Sequence, residues 1–259
     1  MLLWPGFDLC LSPRWDLMCG RYNLRLSGAQ LQVFFDLIRE PTLLSPRYNI
    51  APSQKIPVIR QTESGRECQT AVWGMRAPWN PSQLLINARA ETVFESRAFR
   101  SSVLARRCLV PVSGFYEWKA EGRKKAPYHI WLQSGDPIAF AGFVDAEGAV
   151  CTMTTSPNVE MAAIHDRMPV ILPQSVWELY LDSGIQEPQP LAPLLVPLPD
   201  GSLAMQAVNP IVNNARHETP ACIEPAAPIG PPVESPVDSS IKPTVDASDD
   251  PPLGGLFAR

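Results

Sequence analysis

Apolar residues recur along this chain with two periods. Leu31, Phe34, Phe35 and Ile38 fall on one face of a helix that starts at Ser27, and Gln30 stands three residues beyond Ser27, the spacing of a capping box. Further on the period shortens. The runs TAVWGM, RCLVPV, GFYEW, APYHIWL, PIAFAGFV and GAVCTMTTS, all between residues 70 and 156, are rich in β-branched and aromatic residues and are separated by Gly, Pro or charged turns. They predict a mostly antiparallel sheet system. Between the two patterns lies RYNIAPSQKIPVIR, where Pro46, Pro52 and Pro57 allow only short extended pieces and turns. Further helices are expected over 91–105 in one or two pieces, over 157–164 with Ser156 as cap and Pro157 at the first position, and over 174–181. The Pro-rich stretch 185–201 reads as a surface excursion, because strand-like SLAMQAV follows it. The pattern is that of one α+β domain.

Composition changes the picture at the C-terminal end. The chain has 259 residues and 29 prolines, and eight of the prolines fall within 223–259, where aromatic residues are nearly absent and Ser and Asp are frequent. Such a segment cannot bury enough apolar surface to fold, so residues 223–259 are expected to be a disordered, Pro-rich acidic tail and residues 19–222 the folded domain. The first 18 residues are broken by Pro5, Asp8 and Pro13 and lack a basic flank, which excludes a signal peptide or membrane span of ordinary type. A soluble cytoplasmic protein without a membrane partner is expected. The formal charge of −4 is unevenly placed: 21–125 hold 17 basic and 8 acidic residues, whereas 126–222 hold 2 and 10. Arginine supplies 17 of the 22 basic side chains, the type suited to bidentate phosphate contacts and stacking on bases.

Six cysteines and three histidines raise the question of a metal. No CxxC and no His pair at helical spacing is present, so neither metal nor cofactor is expected. Cys108 and Cys151 lie in apolar strand-like runs and read as core residues. Four segments instead combine reactive groups with tight local structure: Met18-Cys19-Gly20-Arg21, Asn87-Ala88-Arg89-Ala90-Glu91, Gly114-Phe115-Tyr116-Glu117-Trp118 and His165-Asp166-Arg167-Met168-Pro169. On a strand, Phe115 and Glu117 share one face while Tyr116 and Trp118 share the other. Taken singly, Glu117 is equally a partner for an arginine, His165 a helix-end residue and Asn87 a turn residue.

Together these segments resemble the SOS response-associated peptidase (SRAP) family, whose members process abasic sites and crosslink to damaged single-stranded DNA. The resemblance covers about residues 18–224 and rests on MCGRY (18–22), RYNIAPSQ (47–54), WGM (73–75), NARAET (87–92), RRCLVPVSGFYEW (106–118), TTSPN (154–158), HDRMPVIL (165–172) and VNPIVNN (208–214), in family order. It implies a single SRAP domain, monomeric, with single-stranded DNA containing abasic sites as partner and the nucleoid as location in a bacterium. Carried over residue by residue, it makes Cys19 the nucleophile, exposed as the first residue, with Glu117 and His165 moving protons and Asn87 orienting Cys19. Arg21 and Arg89 are then phosphate ligands, and Trp73 and Trp118 candidates for base stacking. An N-terminal cysteine presents an α-amine and a thiol that together convert an aldehyde to a thiazolidine. Because Met18 is not the first residue, the leader 1–18 must be absent from the mature protein, either through a translation start at Met18 or through self-cleavage between Met18 and Cys19. Two other functions fit the same residues: an N-terminal-nucleophile peptidase or amidohydrolase, and a non-catalytic single-stranded DNA-binding module.

Overall fold

A computed structural model describes residues 19–42 and 44–226, so the leader and most of the acidic tail lie outside the described residues. Those described contain fourteen strands. In chain order they are β1 (Tyr22–Leu24), β2 (Arg47–Ile50), β3 (Lys55–Thr62), β4 (Gly65–Trp73), β5 (Met75–Ala77), β6 (Asn80–Leu85), β7 (Asn87–Arg89), β8 (Arg107–Val112), β9 (Gly114–Glu121), β10 (Lys124–Leu132), β11 (Ile138–Val144), β12 (Ala149–Thr155), β13 (Met168–Pro169) and β14 (Leu203–Ala207). One antiparallel sheet has the order β14-β10-β9-β1-β2. The second runs β11-β8-β3-β4-β12-β13, and because β11 also pairs with β12 its first five strands close on themselves. This is the α+β, mostly antiparallel architecture expected from the alternating runs, with one addition. Strand β12 pairs in parallel with both β4 and β7.

The two sheets meet through aromatic side chains that the strand alternation turns inward. Tyr22 on β1 packs edge-on against Trp73 at 5.3 Å and Phe140 at 6.3 Å between ring centroids, and Phe115 on β9 meets Phe140 at 5.7 Å. All four side chains are buried, each contributing on the order of 2 kcal/mol of transfer free energy. Cys108 and Cys151 are fully buried core residues, as expected. On the opposite face of β9, Tyr116 and Trp118 join a separate small cluster with Val208, Val212 and Cys222. Gly114 opens β9 for a steric reason: a Cβ there would lie 2.2 Å from Nε2 of His129 on the neighbouring strand.

Helices are shorter than the pattern predicted. The first, α1 (Gly28–Phe35), has the full capping box between Ser27 and Gln30. It ends at Asp36 in a left-handed conformation, which leaves Ile38 outside the helix and exposed. Of the span 91–105 only α2 (Arg100–Ala105) is helical, because Thr92 accepts bonds from Glu95 and Ser96 in turns that do not propagate. The next, α3 (Val159–Ala162), is capped by Asn158 rather than Ser156, its side-chain oxygen accepting from the Met161 N–H. The segment 174–181 is a 3-10 turn followed by α4 (Trp177–Leu181), and the Pro-rich excursion contains α5 (Pro188–Leu191), which buries Leu191. The folded residues also pass the expected boundary at Cys222. Ala226 N–H donates to Ala207 O and Asn209 N–H to Glu224 O, so 223–226 belong to the fold.

Candidate active site

Gly20 and Arg21 separate Cys19 from β1, and Cys19 has a left-handed φ of 46° that turns the chain at the MCGRY segment. Strand β1 lies beside β9 in antiparallel register, Tyr22 opposite Phe115, and the pairing continues through a bond from Tyr116 N–H to Arg21 O. This register carries Cys19 to Glu117. The backbone nitrogen of Cys19 donates to Glu117 Oε1 at 2.5 Å, which brings the thiol of the same residue under the influence of that carboxyl group. Both residues are only 3% exposed.

Burial sets the protonation of the pair. It pushes the Cys19 thiol well above its ordinary value; the adjacent Glu117 carboxylate adds to the rise, and the cation of Arg167 works against it. Burial likewise raises Glu117, while hydrogen bonding from Cys19 and the positive charge of His165 favour its ionised form. The resting site therefore leans toward a neutral thiol beside a carboxyl group that can hold a proton.

Strand β12 assembles the other side. Asn87 on β7 lies opposite Thr152, whose hydroxyl donates to Asn87 Oδ1 at 2.5 Å and fixes the orientation of the amide. Two residues along, Thr154 is opposite Arg89 on one side and Pro169 on the other. His165 is half-buried just before β13, and its Nδ1 has two neighbours, the Arg167 N–H at 3.2 Å and Asp166 Oδ1 at 2.8 Å. A neutral ring accepts from the first and a protonated ring pairs with the second, so the local geometry accommodates either state of a proton carrier.

The expected DNA-binding residues divide. Arg89 is exposed. Arg21 is turned inward: Nη1 donates to Asn49 Oδ1 at 2.8 Å and Val212 O at 3.0 Å, and Nη2 donates to Asn213 O at 3.3 Å, so it braces the fold where a phosphate contact was expected. Trp73 corrects the stacking assignment. It is 0% exposed with its indole N–H bonded to Ile86 O, so no base can reach it. Trp118 keeps part of its ring exposed, with the Arg21 guanidinium 6.0 Å from its centroid.

Three residues lay beyond the sequence reading. Arg167 forms a bidentate pair with Glu91 at 2.6 and 2.8 Å and donates to Thr154 O at 2.7 Å. Both members sit inside quoted motifs, which was the available signal. Trp79 is 66% exposed on the β5–β6 hairpin, between Pro78 and Asn80, where polar surroundings mark a surface aromatic. Among the described residues no cluster of His, Cys, Asp and Glu could hold a metal, and no helix is long and apolar enough to cross a membrane.

Comparison with known proteins identifies the family. The family model for SOS response associated peptidase (SRAP) matches residues 18–215. The Bacillus subtilis abasic site processing protein YoqW is 35% identical over 228 residues, covering 80% of this chain and 99% of that protein. The Escherichia coli abasic site processing protein YedK is 30% identical over 80% of this chain and 100% of its own length. A more distant relative is the mouse abasic site processing protein HMCES, 28% identical over 73% of this chain and 67% of its own. A crystal structure of a Bacteroides thetaiotaomicron protein shares the fold with a TM-score of 0.68 at 23% identity, covering 81% of this chain and all of that one. The motif order, the fold and these similarities lead to one assignment: the chain belongs to the SRAP family.

Proposed function

We propose that the protein binds single-stranded DNA and captures abasic sites as a covalent thiazolidine on Cys19. A role in the response to DNA damage holds at the level of the family, whose relatives here are named for abasic-site processing. The observation that carries the finer proposal is the bond from the Cys19 nitrogen to Glu117 Oε1 at 2.5 Å between two buried residues. In the 259-residue chain that nitrogen belongs to the Met18–Cys19 peptide; once Cys19 is the first residue, the same atom is an α-amine.

The chemistry then balances with groups on the page. A ring-opened abasic site carries an aldehyde at C1′. The α-amine attacks that carbon while Glu117 gives its proton to the carbonyl oxygen, and the carbinolamine forms. A second proton transfer releases water and leaves an iminium. Cys19 Sγ closes on the same carbon, its proton passing to Glu117 or His165, so one C–N and one C–S bond form and one water departs. An exposed α-amine titrates near ~8, and a buried site that disfavours charge keeps a larger fraction nucleophilic at neutral pH. Arg89 serves as a phosphate ligand, and the exposed rings of Trp79 and Trp118 offer faces for bases. Leader removal belongs to the same proposal: the thiol attacks the Met18 carbonyl, Glu117 protonates the departing Cys19 nitrogen, and water hydrolyses the thioester.

The test is a denaturing gel of the protein, with Cys19 as first residue, after incubation with an abasic oligonucleotide or its undamaged counterpart. A shifted band is expected with the abasic strand alone and not with Cys19→Ala. Absence of that band, or its persistence in Cys19→Ala, would refute the proposal.

A further inference from the structure

The VNPIVNN segment is a matched motif to which no role in the chemistry has yet attached. It forms a 3-10 turn, Pro210–Asn213, between β14 and the end of the described residues. This turn is bonded to both strands that carry the reacting pair. Arg21, two residues after Cys19, donates to Val212 O and Asn213 O, while Trp118, the residue after Glu117, donates its indole N–H to Asn213 Oδ1 at 2.7 Å. Asn213 alone therefore receives a bond from each side, one on its backbone oxygen and one on its amide oxygen.

The turn is itself rigidly held. Fully buried Asn49 directs its amide N–H groups to Val212 O, Asn214 O and His217 O, at 3.1, 3.0 and 2.9 Å. Its Oδ1 accepts from Arg21, which closes the network. Successive residues of a strand point to opposite faces, so the Trp118 bond grips β9 from behind while Glu117 faces Cys19 in front. The Arg21 guanidinium over the Trp118 ring ties the two anchors to each other. The turn joins β1 and β9 at the points where the Cys19–Glu117 separation is decided.

We infer that Asn213 is a positioning residue for the thiazolidine chemistry, holding the Cys19 nitrogen against Glu117 through Trp118 and Arg21. The inference rests on the function proposed above and deepens it. Proton transfer needs a donor–acceptor separation within hydrogen-bond reach, and displacement of a reacting pair by an ångström is enough to slow a step by up to ~100-fold. Neither DNA nor the reacting carbon touches the brace, so its loss acts on rate and not on strand affinity.

The experiment compares Asn213→Ala with Asn213→Asp, which keeps an acceptor for the indole N–H. Three quantities are measured in each: the crosslinking rate with an abasic strand, the affinity for the undamaged strand, and the rate at which iodoacetamide alkylates Cys19, mapped by peptide mass. Asn213→Ala should crosslink roughly tenfold more slowly or worse with unchanged affinity, and its Cys19 should alkylate faster because the thiol is no longer held in its buried position beside Glu117. Asn213→Asp should restore both rates to near those of the parent. Parent-like behaviour of Asn213→Ala, or equal loss in both variants, would overturn the inference. If the parent forms no adduct at all, the proposed function is lost, and the alkylation rates still decide the brace.

Discussion

At the residue scale, the central pair is Cys19 and Glu117, and the two have different tasks. Replacing Glu117 with Gln keeps the shape and a hydrogen-bonding partner for the Cys19 nitrogen but removes the proton that the carbonyl oxygen must receive. Crosslinking should slow by about 100-fold or more while affinity for an undamaged strand is retained, a loss confined to the chemical step. Parallel losses of rate and affinity would place Glu117 in binding instead. A second titrating residue bears on stability. His129 is buried, accepts from Asn23 Nδ2 across 2.9 Å, and stacks on Trp131. Burial, reinforced by the nearby Arg25 cation, lowers it from 6.5 to about 4. A histidine depressed in the folded state binds its proton more readily when unfolded, so stability is full above pH 6.5 and declines as pH falls toward 4. The two values correspond to roughly 3 kcal/mol over that window. Urea unfolding as a function of pH should show this decline, and His129→Gln, which keeps an acceptor for Asn23, should flatten it. Identical slopes in the two proteins would remove His129 from the acid response.

At the element scale, strands were legible where alternation was clean and helices were not where capping competed. GFYEW separates Phe115 and Glu117 from Tyr116 and Trp118 just as a period of two requires: Phe115 lies in the main core, whereas Tyr116 and Trp118 lie in the smaller cluster. Ser156 looked like a cap because Pro157 follows it, yet Asn158 has the carbonyl that reaches the Met161 N–H. The burial of Trp73 was legible from its strand, because the end of β4 alternates: Ala71 and Trp73 are buried while Thr70 and Val72 are exposed. Two stability predictions follow from elements whose importance the sequence hid. Arg107 on β8 is buried and donates to five backbone carbonyls, those of Val103, Leu104, Tyr180, Asp182 and Ile185, so it joins α2, β8 and the end of α4. Arg107→Met strands those acceptors and should cost about 3 kcal/mol or more in chemical denaturation. A loss below 1 kcal/mol would mean that water takes over the carbonyls. Truncation after Ala226 should leave the melting temperature unchanged, whereas truncation after Cys222 should lower it, because the second removes Ile223 from its cluster and the bonds of Glu224 and Ala226. Equal melting temperatures would show that the last turn adds nothing.

At the scale of the whole molecule, the charge split along the sequence is not a split in space. Both sheets mix strands from the basic 21–125 segment with strands from the acidic 126–222 segment, and the ion pairs Arg47–Glu218 and Arg167–Glu91 cross between them. Contacts to DNA must therefore be argued for individual arginines, and the exposed Arg89 is the best placed of the two expected from the motifs. Arg89→Ala should lower the salt slope of single-strand binding by about 0.7, the increment for one phosphate contact, and an unchanged slope would exclude it. The site was legible as a set of motifs and illegible as a geometry, because its decisive contacts join residues far apart in the chain: Cys19 with Glu117, Glu91 with Arg167, Arg21 and Trp118 with Asn213. What unites them is the claim that the nitrogen facing Glu117 becomes a free α-amine. Intact mass after incubation with an abasic strand tests this most directly, using protein that begins at Cys19 alongside protein that retains the leader uncleaved. The first should gain the mass of the strand less one water and the second should gain nothing; a stable adduct on the leader-bearing form, with its Cys19 nitrogen still in a peptide bond, would contradict the mechanism.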